Sequence, residues 1–371
     1  MDPQTYLESI VPTREMVTHF AGPREGGSSF DPELGWVLRD GVRKDGVHGS
    51  KGFYRYDPDG ARRVVHFPER PCRVHTYGDS FTHCDQVSDG ETWQEYLAAH
   101  FQEPIRNFGI GGYSVYQAYR RMRKVEREGG AEYIILNIYD DDHFRNLDAW
   151  RSIRMGVPGR FTLPHLRVDV ENGRCEEVEN LCQTPEEVYR LCDPAFVWET
   201  YRDDPTLRAT LARKAGEKAS SEMVTAVAAG FGARADRFPY GDPAARAFKI
   251  HTEAALYATR RVLEMTEAFV RETGKRLMVM LSFNRGHTAE ALTGRPNFDQ
   301  TFLDWLRSRD YPVVDMRDAF REEFRLFKVD VQTYLERYYI GHHTPAGNFF
   351  TAWAIKKRVC EWLDPRPLPY R

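Results

Sequence analysis

The run Tyr133–Tyr139, YIILNIY, constrains this chain more than any other stretch of it. It is almost continuously apolar, which is the pattern of a strand buried on both faces and hence of a parallel sheet with helices above and below. Shorter runs repeat the theme. CRVHTY at 72–77 stops at Gly78, and Ile105–Phe108 ends in Gly109, Gly111 and Gly112. Further strands are expected at Arg276–Ser282 and Pro312–Asp315, with another near Phe161–Val170. Between them lie helical periodicities. Trp93, Tyr96, Leu97 and Phe101 follow a Ser88–Glu91 capping box, and Val115, Ala118, Tyr119, Met122 and Val125 follow Ser114. Ala255, Ala258, Val262, Met265 and Phe269 mark a helix over 253–272; two more are expected near 298–308 and 347–363. Strands alternating with helices imply βαβ units and an α/β fold.

The 371 residues suit two small domains or one enlarged one. The alternation covers 72–146 and 251–371, which reads as one α/β domain. Residues 1–71, rich in Gly, Pro, Arg and Asp, read as an N-terminal extension. Residues 147–250 read as an insertion, a lid or substrate-shaping subdomain. In that insertion the aromatics Phe196, Trp198 and Tyr201 read as core packing before pocket lining.

Charge narrows the partners. With 52 basic and 55 acidic residues the net charge is −3, which argues against binding nucleic acid or an anionic membrane through bulk charge. The basic runs Arg120, Arg121, Arg123, Lys124 and Lys356–Arg358 read as solvated helix faces. No apolar run is long enough for a membrane span, and the opening MDPQTYLESIVPTREM has no secretory pattern. Six cysteines without zinc spacing point to reduced thiols and a cytoplasmic protein.

In parallel sheets ligands bind beyond the carboxyl ends of the strands. The loops there carry Gly78-Asp79-Ser80-Phe81, Asn107–Gly112 and Asp140-Asp141-Asp142-His143. Ser80 is a candidate nucleophile, given a base to take its proton. The bare N–H of Gly112 is a candidate oxyanion donor. His342 and His343 both precede the last helix, and either could be the base. The Asp140–His143 run invites a metal, but consecutive residues rarely converge on one ion, so no metal is assigned.

These segments together resemble the SGNH hydrolases, also called GDSL esterases and lipases. GDSF at 78–81 looks like the block that carries the family's serine nucleophile. NFGIGGYS at 107–114 is similar to the second block and puts Gly112 at its oxyanion glycine. HHTPAGN at 342–348 resembles the last block, where the histidine five residues before the glycine is the base, which selects His342. The resemblance implies a three-layer α/β/α flavodoxin-like fold with a large insertion. It also implies a serine esterase or deacylase without cofactor, acting on a small-molecule, carbohydrate or lipid ester. Acyl transfer, or binding without hydrolysis, are the alternatives on the same scaffold.

Two departures stand out. Asp141 takes the position of the family's oxyanion asparagine, so ester hydrolysis requires it to be protonated, turned away, or countered by a cation such as Arg145. The acid expected just before His342 is replaced by Tyr339 and Ile340, leaving Glu336 or Asp330 as candidate orienting acids. Asp79 and His343 remain as supporting residues.

Overall fold

The computed structural model describes residues 2–21, 27–159 and 161–371, so the part of the N-terminal segment at 22–26 lies outside it. The described residues form two compact units. One combines residues up to 21 with 28–37 and 143–263; the other combines 27, 38–142 and 264–371. The N-terminal segment is thus shared between both units, and residues 147–250 lie within the first.

The second unit is built on a parallel five-stranded sheet flanked by helices. Its strands are β1 (Val74–Tyr77), β2 (Ile105–Asn107), β3 (Tyr133–Tyr139), β4 (Arg276–Ser282) and β5 (Val313–Asp315). Their spatial order is 2-1-3-4-5. Central β3 pairs along its whole length with β4, from Tyr133 opposite Arg276 to Tyr139 opposite Ser282. On its other side Val74–Tyr77 pair with Tyr133–Leu136. Six of the seven β3 residues are buried, as a two-faced strand requires.

The helices of this unit are α1 (Ser80–His83), α2 (Trp93–Phe101), α3 (Val115–Glu126), α4 (Arg285–Leu292), α5 (Gln300–Arg307), α6 (Met316–Phe324), α7 (Val331–Glu336) and α8 (Pro345–Trp362). The Ser88–Glu91 box opens one 3-10 turn, and Thr92 then caps α2 through the Glu95 amide. Ser114 and Gln117 form a full capping box on α3. One core joins Val74, Trp93, Leu97, Phe101, Ile135 and Met280 to Phe320, Tyr338, Phe350 and Ile355.

The first unit is mainly helical, with the antiparallel hairpin His165–Asp169 and Arg174–Val178 where a strand near 161–170 was expected. Tyr6, Leu7, Trp150, Leu191, Val197 and Tyr201 form its core, with Phe196 and Trp198 packed against it. Those insertion aromatics therefore serve packing. The helix expected over 253–272 runs from Pro243 to Glu272. Its first turns continue the helical spacing, with Ala247, Ile250 and Ala254 buried, and the proline at its start needs no backbone N–H there. Among the described residues, no helix is long and apolar enough to cross a membrane.

One buried charge in the second unit has a measurable consequence. Glu126 accepts from Tyr77 Oη (2.6 Å) and the Ala131 amide (2.8 Å). It also lies 2.6 Å from His75 Nδ1 and 3.0 Å from Lys275 Nζ. Burial opposes its charge, but the bonds from His75, Tyr77 and Lys275 outweigh burial and hold the carboxyl below its ordinary value of 4.5. A depressed carboxyl pKa adds stability that is fully present above the unfolded value and is lost as pH falls through the folded one. Unfolding midpoints measured from about pH 7 to about pH 3 should therefore fall in the wild type below the ordinary carboxyl range. The fall should be shallower in Glu126→Gln.

Candidate active site

Because all five strands are parallel, the loops after β1, β2, β3 and β4 leave the sheet at one edge. The strand order reverses between β1 and β3, the kind of position at which parallel sheets bind ligands. Ser80 follows one of these strands and Asp141 the other.

The chain leaves β1 through Gly78 at φ +151°. A side chain at Gly78 would put Cβ 2.2 Å from Thr82 Oγ1 and 2.4 Å from the Asn137 carbonyl, so only glycine fits. Asp79, fully buried, caps α1 by accepting the Phe81 amide at 2.8 Å. Ser80 is the first residue of that helix and is 5% exposed. Its hydroxyl donates to Asp79 Oδ2 at 3.0 Å.

The glycine loop after β2 lies behind this helix. Asn107 donates to the Thr82 carbonyl (2.8 Å) and accepts the Gly109 amide (3.0 Å). A Cβ at Gly109 would fall 2.3 Å from the His83 amide nitrogen. Gly109 therefore allows the loop to touch the backbone of α1. Gly112 holds φ +84° in the turn that leads to Ser114.

The acidic run after β3 disperses. Asp140 Oδ2 accepts the Asn284 amide (2.8 Å) and lies 2.7 Å from His287 Nδ1. Asp142 accepts the Tyr139 amide at 3.0 Å, while His143, in the first unit, lies 2.8 Å from Thr259 Oγ1. Asp141 is half-buried between them, and Arg145 is buried in the first unit. Among the described residues no three His, Cys, Asp or Glu side chains are grouped so as to hold a metal ion.

The two histidines differ sharply. His342 is half-buried, with its ring centroid 5.2 Å from that of Phe81, the neighbour of Ser80. His343 is 5% exposed, edge-on to Phe81 at 4.9 Å and against Tyr339 at 4.9 Å. Burial, and then the adjacent His342, push its pKa down to about 3, so it is neutral at physiological pH. Gly347 explains the His-to-Gly spacing: a Cβ there would lie 2.4 Å from the Tyr338 carbonyl and 3.0 Å from His343 Cβ.

Neither expected acid partners His342. Asp330 caps α7, accepting the Gln332 and Thr333 amides and the Thr333 hydroxyl. Glu336 pairs with Arg285 on the surface. The partner of the imidazole is Gln86, whose Oε1 lies 3.1 Å from His342 Nδ1 and accepts the His342 amide at 2.8 Å. Beside it, burial raises Asp85, but the bonded His83 and then His342 and Arg43 outweigh burial and hold this carboxyl well below the usual range.

Arg62 underlies this turn. It is 2% exposed and donates to Asp89 Oδ1 (3.0 Å) and to the carbonyls of His83 (2.6 Å), Cys84 (2.8 Å) and Val87 (2.5 Å). Sequence reasoning missed Gln86, Asp85 and Arg62. The first two had one signal, a polar cluster following the Ser80 helix; an arginine in a segment without periodicity has none. Compared with models of known protein families and with curated proteins, the sequence matches none of them.

Proposed function

We propose that this chain is a serine esterase or deacylase of the SGNH hydrolase type, cleaving an O-acyl ester of a small molecule, carbohydrate or lipid. The observation that carries the reading is a meeting at the carboxyl edge of the sheet. Ser80 begins a helix at the reversal of strand order, and Phe81 and Gln86 of the same segment both touch His342. The order 2-1-3-4-5 supports a flavodoxin-like form of the fold. The six free thiols support a cytoplasmic setting.

In this reading Ser80 Oγ turns from Asp79 to His342 and attacks the carbonyl carbon while His342 Nε2 takes its proton. The N–H groups of Ser80 and Gly112 hold the oxyanion. His342 returns the proton to the leaving alcohol, and water then releases the acyl group by the same steps. An ionised Asp141 close to the oxyanion would oppose it by up to about 4 kcal/mol at 4 Å and an effective dielectric of about 20. The chemistry therefore needs that carboxyl neutral or turned away. One observation favours a second reading, a binding protein that has lost hydrolysis: the Ser80 hydroxyl is engaged by Asp79.

A fluorophosphonate separates the two. The esterase reading expects one covalent adduct, mapped by peptide mass to Ser80; a folded protein that takes up no label is a binding protein. The choice of base has its own check. Replacing His342 with Ala should lower ester turnover by about a thousandfold or more. Replacing His343 with Phe, which keeps a ring between Phe81 and Tyr339, should cost no more than about tenfold. The reverse pattern would make His343 the base.

A further inference from the structure

We propose that Gln86 is a positioning residue that fixes His342 as the Nδ1–H tautomer and so leaves Nε2 free to accept a proton. The proposal rests on the esterase reading for its use of Nε2, while the tautomer itself can be read without any activity.

The amide orientation follows from its partners. Gln86 Nε2 donates to the Asp45 carbonyl at 2.9 Å, an oxygen that only a donor can face. Oε1 must then face His342, whose main-chain N–H donates to it at 2.8 Å. An amide oxygen has two lone pairs and no proton, so the second contact, to Nδ1 at 3.1 Å, requires a proton on Nδ1. The other ring nitrogen of a neutral imidazole is then the acceptor. The residue is anchored at its backbone too, where its amide donates to Tyr54 Oη at 2.7 Å.

Two backbone features indicate that the side chain is held there against local preference. Gln86 sits at φ +75°, a region that suits glycine and strains other residues. Strain of this kind persists where the surroundings over-determine it, and it clusters at functional sites. Gly341, just before His342, is at φ +125°, and a Cβ there would come 2.9 Å from Gln86 Oε1. The loop thus leaves room for this oxygen.

A neutral amide orients the imidazole as a carboxylate would, without adding charge at Nδ1. Asp85, the preceding residue, is bonded to His83 and so does not occupy Nδ1 of His342.

The test is the ¹⁵N spectrum of histidine-labelled full-length protein, in wild type and Gln86→Gly. Glycine relieves the backbone strain, so that variant should fold while removing the acceptor at Nδ1. We expect Nδ1–H at His342 in wild type and a shift toward Nε2–H in Gln86→Gly. With an ester substrate, Gln86→Gly should lose about a hundredfold or more in kcat, with KM within about threefold. The proposal is overturned if wild type carries Nε2–H at His342, if Gln86→Gly keeps the wild-type tautomer, or if the kinetic loss is confined to KM. Absence of a fluorophosphonate adduct on Ser80 would instead overturn the esterase reading and leave the tautomer result standing.

Discussion

Replacing Ser80 with Ala should lower turnover of an activated ester by about 10⁴-fold or more, and should remove fluorophosphonate labelling altogether. The size follows from the role. Without Oγ no acyl-enzyme forms, and what remains is the help that oxyanion donors and binding give to attack by water. Stability should hardly move. The hydroxyl makes one bond, to Asp79 Oδ2, and that cap keeps its hold on the Phe81 amide through Oδ1. Losing such a bond costs about 1 kcal/mol. Thermal unfolding and steady-state kinetics on the same preparation check both halves, and an alanine variant that retained turnover would remove Ser80 from the reaction.

The second large effect is on the fold. Arg62→Met should destabilise the protein by about 3–5 kcal/mol, because it leaves buried acceptors without their donor. Asp89 would still be held by Arg55, through its Nε at 2.8 Å and its amide at 3.1 Å. The carbonyls of His83, Cys84 and Val87 would lose the contacts that Arg62 makes. Lysine should recover little, since a single ammonium cannot span acceptors spread around a guanidinium fork. Denaturant midpoints for wild type, Arg62→Met and Arg62→Lys measure this. A loss below about 1 kcal/mol would mean that water replaces the guanidinium.

The contrast between these two residues tells how far the sequence could be read. Ser80 was visible because a short strand-like run, a glycine and a helix start sit next to one another in the chain. Strand β3 was visible for a similar reason: its burial is written in seven consecutive residues, and its bounds agree with the expected ones. Arg62 was not visible, because most of its partners are backbone carbonyls, three of them more than twenty residues away, and a carbonyl has no residue identity; its carboxylate partner, Asp89, lies as far off in the chain. Gln86 was hidden for a different reason. The resemblance implies an acid close before His342 in the chain, whereas the structure brings an amide from the Ser80 side. Helix α7, six residues long, carries too few turns to show a period, whereas α4 and α6 were missed although they are as long as α5 and α2. Strand order also had no local signal, since pairing partners of a parallel sheet are joined by long crossovers.

The order of those strands has a consequence for synthesis. β3 lies between β1 and β4 in space, but β4 is reached only about 140 residues after β3 is complete, a delay of roughly 7–28 s at ribosomal rates of about 5–20 residues per second. Throughout that interval β3 can pair with β1 on one side while its other edge, flanked by isoleucine and leucine side chains, has no strand of this chain to meet. An open apolar edge is a template for pairing with other chains. The residues made meanwhile include His143–Leu263, the larger part of the first unit, so its translation time is also the nascent sheet's period of exposure to aggregation.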